Sequence, residues 1–173
     1  MSRRCVFFDR DGVVNRVPDP ERYVTGWDKF HLLPAFVESL CIARQRDWPA
    51  VIVTNQQGVG KGEYSAETVE EMHRNLRRVL MEQGLELLDI FYCPHLVSDN
   101  CDCRKPKPGM FLLAAEKHDI DLSASWMVGD QEHDVAAGHA AGCRCIRVGG
   151  KKTAAEHHVA SMNELPALLD KIL

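Results

Sequence analysis

The chain has 173 residues, 45% hydrophobic and 27% charged, which predicts one soluble domain spanning 1–173 that buries its core without disulfides. A net charge of −4 leaves no basic footprint for nucleic acid or an anionic membrane, and nothing in the composition demands more than a monomer. The apolar run at residues 5–8 is too short for a signal peptide or a membrane span, so the expected location is the cytoplasm.

Strand-like and helix-like segments alternate from end to end. Residues 4–8 form an apolar run that stops at a polar cluster, which predicts a buried strand. Residues 33–46 carry apolar side chains at helical spacing after Pro34, a good first-turn residue. Residues 50–53 predict a second strand. A helix over 65–83 starts at the capping residue Ser65 and stops at Gly84. Residues 88–92 predict a third strand, 110–118 a helix, 125–128 a fourth strand, 131–141 a helix ending at Gly142, and 143–148 a fifth strand. A helix over 163–172 closes the chain, and His157 and His158 lie in a stretch read as solvated. Such alternation predicts an α/β fold: a Rossmann-like three-layer sandwich with a central parallel sheet. Ligands bind such sheets beyond the carboxyl ends of the strands, and Asp9, Thr54, Cys93 and Asp130 each follow or end a strand.

Asp9 and Asp11 stand two apart in an extended segment, so both can face one pocket. Carboxylates that close repel unless a cation or a proton intervenes, and magnesium, which prefers oxygen ligands, suits them. The plain reading of Asp-x-Asp-Gly is a polar turn. It weakens once Thr54 offers a hydroxyl to a phosphoryl oxygen, Lys105 a fixed positive charge, and Asp130 and Asp134 two more acids after a later strand. The glycine-rich segment 55–62 fails the P-loop pattern, because Gly62 stands where Ser or Thr is required and Asn55 where the first Gly belongs. It is expected to be a turn that brings Asn55, Gln56 and Gln57 near a substrate.

Residues 5–150 resemble the haloacid dehalogenase superfamily, whose motifs match Asp9-x-Asp11, Thr54, Lys105 and Gly129-Asp130-x-x-x-Asp134. The resemblance implies a magnesium-dependent phosphatase with Asp9 as nucleophile and Asp11 as general acid and base. It implies that Thr54 and Lys105 steady the phosphoryl group. Mg²⁺ would be held by Asp9, Asp130 and the backbone carbonyl of Asp11, with Asp134 behind them. The same intermediate would serve a phosphotransferase. The cap should be minimal, since the chain leaves no room for a large one, and the substrate a small phosphorylated metabolite.

Cys93, His95, Cys101 and Cys103 fall within eleven residues and supply three thiolates and an imidazole, a common structural zinc set. Together with Asp9-Arg-Asp-Gly this loop resembles two branches of the superfamily, the heptose-bisphosphate and the histidinol-phosphate phosphatases. Cys103-Arg-Lys-Pro-Lys-Pro-Gly-Met110 is closer to the first, where Arg104 would read a second phosphate or the sugar and residues 19–23, Tyr23 among them, would touch the substrate. The five-residue spacer before Cys101 is closer to the second. Gln131 stands where the heptose enzymes tend to have Lys. Cys5, Cys41, Cys143 and Cys145 are expected to be packing thiols.

Overall fold

The computed structural model describes residues 2–17, 23–151 and 153–173. Of the expected substrate segment, residues 19–22 lie outside this set and Tyr23 lies within it. The strands are β1 (Val6–Phe8), β2 (Ala50–Asn55), β3 (Asp89–Cys93), β4 (Trp126–Gly129), β5 (Arg144–Val148) and β6 (His157–Val159). The helices are α1 (Pro34–Gln45), α2 (Ala66–Glu82), α3 (Gly109–His118), α4 (Glu132–Ala141) and α5 (Leu165–Ile172). The strands form one sheet in the order β3-β2-β1-β4-β5-β6, every pair parallel.

Alternation along the strands divides the core in two. Val6, Phe8, Ile52, Val128 and Ile146 face one way, onto Phe36 and Leu40 of α1, Met72 and Leu76 of α2, and Leu165 and Leu169 of α5. Phe7, Val51, Val53, Met127 and Cys145 face the other way, onto Met110 and Phe111 of α3 and Val135 of α4. A sheet covered on both faces needs strands apolar on both, hence unbroken runs such as Ala50–Val53. The first two crossover helices cover one face and the next two the other, so the strand order reverses between β1 and β4. Among the described residues no helix is long and apolar enough to cross a membrane, and no separate cap domain interrupts the sheet.

Two elements differ from expectation. His157 and His158 belong to β6, an edge strand of three residues in which His157 tilts against Trp126 at 5.4 Å and Val159 is buried. Three residues carry no legible period. The last helix is shorter than expected: Met162–Glu164 make a 3₁₀ turn, and α5 starts at Leu165, where Pro166 fits the first turn.

Candidate active site

The reversal puts the ends of β1 and β4 side by side, and the Asp9 N–H donates to the Val128 carbonyl across the gap at 2.9 Å. After Asp9 the chain turns tightly, with the amides of Val13, Val14 and Asn15 converging on the Arg10 carbonyl. Gly12 completes the turn at φ +91°, and a Cβ there would overlap the Asp130 carboxylate, so glycine is required twice over.

Lys105 lies at the centre, fully buried. Its Nζ has three oxygen partners: Asp9 Oδ1 at 2.8 Å, the Val53 carbonyl at 2.8 Å and Asp134 Oδ1 at 2.7 Å. Burial works against its charge, but Asp134 and Asp9 more than compensate and hold its pKa above the usual lysine range. Burial and the Asp134 carboxylate push Asp9 well above the usual carboxylate range, against the pull of Lys105. Burial, then Asp134, pushes Asp130 up as well. Oxygens of Asp9, Asp130 and Asp134 lie within 4.8 Å of one another, and Asp130 Oδ1 is buried with no hydrogen-bond partner. Three carboxylates facing one ammonium, with a free oxygen among them, fit a hard divalent cation.

Asp11 is set differently. Its carboxylate accepts from Arg10 Nε and Nη2 at 3.1 Å each, from Asn15 Nδ2 at 3.0 Å and from Gln56 Nε2 at 2.9 Å. Burial alone would raise its pKa, but the Arg10 charge and these hydrogen bonds hold it below the usual carboxylate range. Its side chain is taken up by Arg10, Asn15 and Gln56 and is not among the three carboxylates that converge. Asp11 lines the same cavity as Asp9 nonetheless.

Thr54, within β2, lines that cavity beside them. Asn55 lines it too, but both ends of its amide clasp the Lys105 backbone, accepting from the N–H and donating to the carbonyl at 3.0 Å each. Gln56 corrects the expectation of a substrate contact. It is buried, giving its amide to Asp11 and to Thr54 Oγ1 at 2.9 Å, and accepting from Arg10 at 3.0 Å and Tyr64 at 2.7 Å. The next residue faces the cavity again, since the chain turns there. Gln57 accepts from Arg104 at 3.2 Å and donates to the Tyr23 hydroxyl at 3.4 Å, and Lys61 reaches that hydroxyl at 3.0 Å.

The cavity holds about 220 Å³, and a neighbouring hollow of about 340 Å³ shares Arg104 and His133 with it. A hollow of about 490 Å³ on the opposite rim, near Arg3, Trp48 and Leu88, is larger but has no such carboxylate cluster. Sequence reasoning missed Arg10, Asn15, Tyr64 and His133. The charge next to Asp11 was the available signal for Arg10. His133 lies 3.5 Å from Asp134 and on the cavity wall, two residues from Gln131, whose amide donates to Asp130 at 3.2 Å.

Cys93, at the end of β3, meets His95, Cys101 and Cys103 in one cluster. Cys93 Sγ is 3.5 Å from His95 Nδ1 and 3.6 Å from Cys101 Sγ, while Cys103 Sγ is 3.2 Å from His95 Nδ1 and 3.5 Å from Cys101 Sγ. Zn–S and Zn–N bond lengths imply tetrahedral edges of about 3.5–3.8 Å. Three of these separations match and the His95–Cys103 one is shorter, so the donor set fits zinc with a small adjustment there.

The HAD-hydrolase-like family model matches residues 102–172. The chain is 40% identical over 148 residues to the D-glycero-beta-D-manno-heptose-1,7-bisphosphate 7-phosphatase of Pseudomonas aeruginosa, covering 86% of this chain and 82% of that protein. It is 36% identical over 153 residues to the D-glycero-alpha-D-manno-heptose-1,7-bisphosphate 7-phosphatase of Photorhabdus laumondii, covering 84% and 82%. Among solved structures it is similar to D,D-heptose 1,7-bisphosphate phosphatase from B. bronchiseptica complexed with magnesium and phosphate. That match has a TM-score of 0.87 and 31% identity, and it covers 98% of this chain and 99% of the other.

Proposed function

The chain belongs to the HAD-like family of the heptose-1,7-bisphosphate 7-phosphatases, and from that premise we propose that it removes the 7-phosphate of D-glycero-D-manno-heptose 1,7-bisphosphate through a phospho-aspartate on Asp9. What supports this most is Lys105 buried between Asp9 and Asp134, beside the unpartnered Asp130 oxygen. Lys105 occupies Asp9 Oδ1 and so leaves the other oxygen to attack phosphorus. In the first half-reaction that oxygen bonds to phosphorus, the ester P–O bond breaks, and Asp11 gives the leaving oxygen a proton. In the second, Asp11 takes a proton from water, the hydroxyl bonds to phosphorus, and the Asp9 carboxylate leaves with inorganic phosphate released.

Asp11 begins as a carboxylate, because Arg10 and its neighbours favour that form. A dianionic phosphoryl group arriving beside it raises its proton affinity, so that Asp11 takes up a proton from solvent with the bound substrate and then acts as the acid. Thr54 and Lys105 steady the phosphoryl oxygens. Asp9, Asp130 and the Asp11 carbonyl would hold Mg²⁺, with Asp134 tying Lys105 behind them, and the ion supplies charge neutralisation on the transferring group. Arg104, backed by Gln57, reads the second phosphate or the sugar, with Tyr23 across the cavity. Cys93, His95, Cys101 and Cys103 hold a structural zinc that shapes the loop carrying Arg104 and Lys105.

The test is phosphate release in Mg²⁺ from both anomers of heptose 1,7-bisphosphate and from histidinol phosphate, with Asp9→Asn as control. The proposal expects preference for one heptose anomer and no turnover by the control. Preference for histidinol phosphate would overturn the substrate, phosphate passed to a second hydroxyl would make the protein a phosphotransferase, and turnover by Asp9→Asn would overturn the mechanism.

A further inference from the structure

Arg10 is a fully buried cation whose guanidinium lies over the face of Phe30, 5.6 Å from its centre. A buried guanidinium is stable only where acceptors meet its fork of donors. Nε and Nη2 are taken up by Asp11, with Gln56 Oε1 at 3.0 Å adding to Nη2. The other arm, Nη1, points away from Asp11 and meets Nε2 of His73 at 3.3 Å. A guanidinium cannot accept, so Nε2 must offer its lone pair, and the imidazole proton must sit on Nδ1.

His73 is well suited to remain that acceptor. It sits mid-way along α2, buried, with its ring edge-on to Tyr92 at 5.7 Å. Burial first, and the Arg10 charge next, push its pKa down to about 3, so it stays neutral throughout the physiological range. A buried histidine on an apolar helix face is most simply a packing residue. That account does not explain why its one lone pair is aimed at the cation that grips Asp11.

We propose that His73 is a positioning residue: by fixing the Nη1 arm of Arg10 it sets the plane of the guanidinium, and through it the orientation of the Asp11 carboxylate toward the leaving oxygen. This rests on Asp11 acting as the acid. The consequence is specific to chemistry, since a misplaced acid matters only to leaving groups that need a proton. An alkoxide needs one and a nitrophenolate does not.

The experiment measures kcat/KM, which reports the step in which the leaving group departs, for a heptose or other alkyl phosphomonoester and for p-nitrophenyl phosphate. Wild type, His73→Phe and His73→Gln are compared, with circular dichroism as a check of folding. His73→Phe should lose about tenfold or more on the alkyl ester and less than about threefold on the aryl ester. His73→Gln, which restores an acceptor, should recover most of the alkyl loss. If His73→Phe does not fold, His73→Leu supplies the same comparison. Equal losses on both esters, no loss on either, or no recovery by His73→Gln would overturn the inference. Those outcomes leave the proposed function intact, whereas a wild-type protein that releases no phosphate from any monoester would overturn that reading instead.

Discussion

Lys105 is fully buried against Asp9 and Asp134, so what it does for stability and for chemistry can be separated by substitution. Lys105→Met leaves two buried carboxylates without their cation and should destabilise the protein by about 3–5 kcal/mol in urea unfolding at neutral pH. Asp134→Asn removes one of the two acids and should restore part of that loss in the double variant, which a double-mutant cycle measures. Neither variant should turn over at an appreciable rate. Arg104 differs, since it lies on the wall rather than in the centre. Arg104→Ala should raise KM for the bisphosphate about tenfold or more while leaving p-nitrophenyl phosphate little changed, because a charged hydrogen bond to a second phosphate is lost only where that phosphate exists. Asp9, Thr54 and Asp130 were legible in the sequence because each lies at or just past a strand end, and strand ends share one rim, whereas Lys105, in the loop between β3 and α3, was legible only as a motif charge. Gln56 was not. Whether a residue in a turn faces the cavity or the core depends on φ and ψ that no short motif encodes, and Gln56 turns inward while its neighbour Gln57 turns out.

Among the elements, the loop from Cys93 to Cys103 has no regular structure except one 3₁₀ turn, Val97–Asp99. Its shape therefore depends on the four side chains that meet at its base. Cys101→Ser should lower bound zinc from one equivalent per chain to near zero, read by elemental analysis of freshly purified protein. It should also loosen the loop that carries Arg104, so that KM rises before the fold is lost. Protein purified without zinc yet fully active would show that the cysteines act as thiols alone. This cluster was readable from spacing, since four ligands in eleven residues need no tertiary information. By contrast, His73 on α2 carries no local sign of its task, because its partner Arg10 is 63 residues away. The edge strand β6 was missed for a related reason: its pairing with β5 is set by the sheet and by Glu156, which bonds His139 at 3.1 Å and the Cys145 N–H at 2.7 Å.

At the scale of the whole molecule, two buried titrations oppose each other, and their balance sets how stability follows pH. His73 has a folded pKa of about 3 against an ordinary value of 6.5. The unfolded chain therefore binds the proton first, so this group's contribution is complete above 6.5 and is lost as pH falls toward 3, by up to about 1.4 kcal/mol per pH unit. Asp9 and Asp130 run the other way. Their folded pKa values are raised above the ordinary 3.8, so the folded protein holds more protons, and stability falls as pH rises from 3.8 through the raised values. At neutral pH and without a divalent cation the cluster is therefore strained by its own charge, the usual condition of a site built to hold one. Asp130→Asn removes one of these charges. In magnesium-free buffer at pH 7 it should be more stable than wild type by on the order of 1 kcal/mol, and it should lose the increase in melting temperature that Mg²⁺ gives the wild type. That increase should itself shrink as pH falls toward 4, where protons compete with the ion for the same oxygens. An Asp130→Asn variant less stable than wild type at pH 7, or a wild-type response to Mg²⁺ that does not change with pH, would mean that the acidic cluster is satisfied by Lys105 alone.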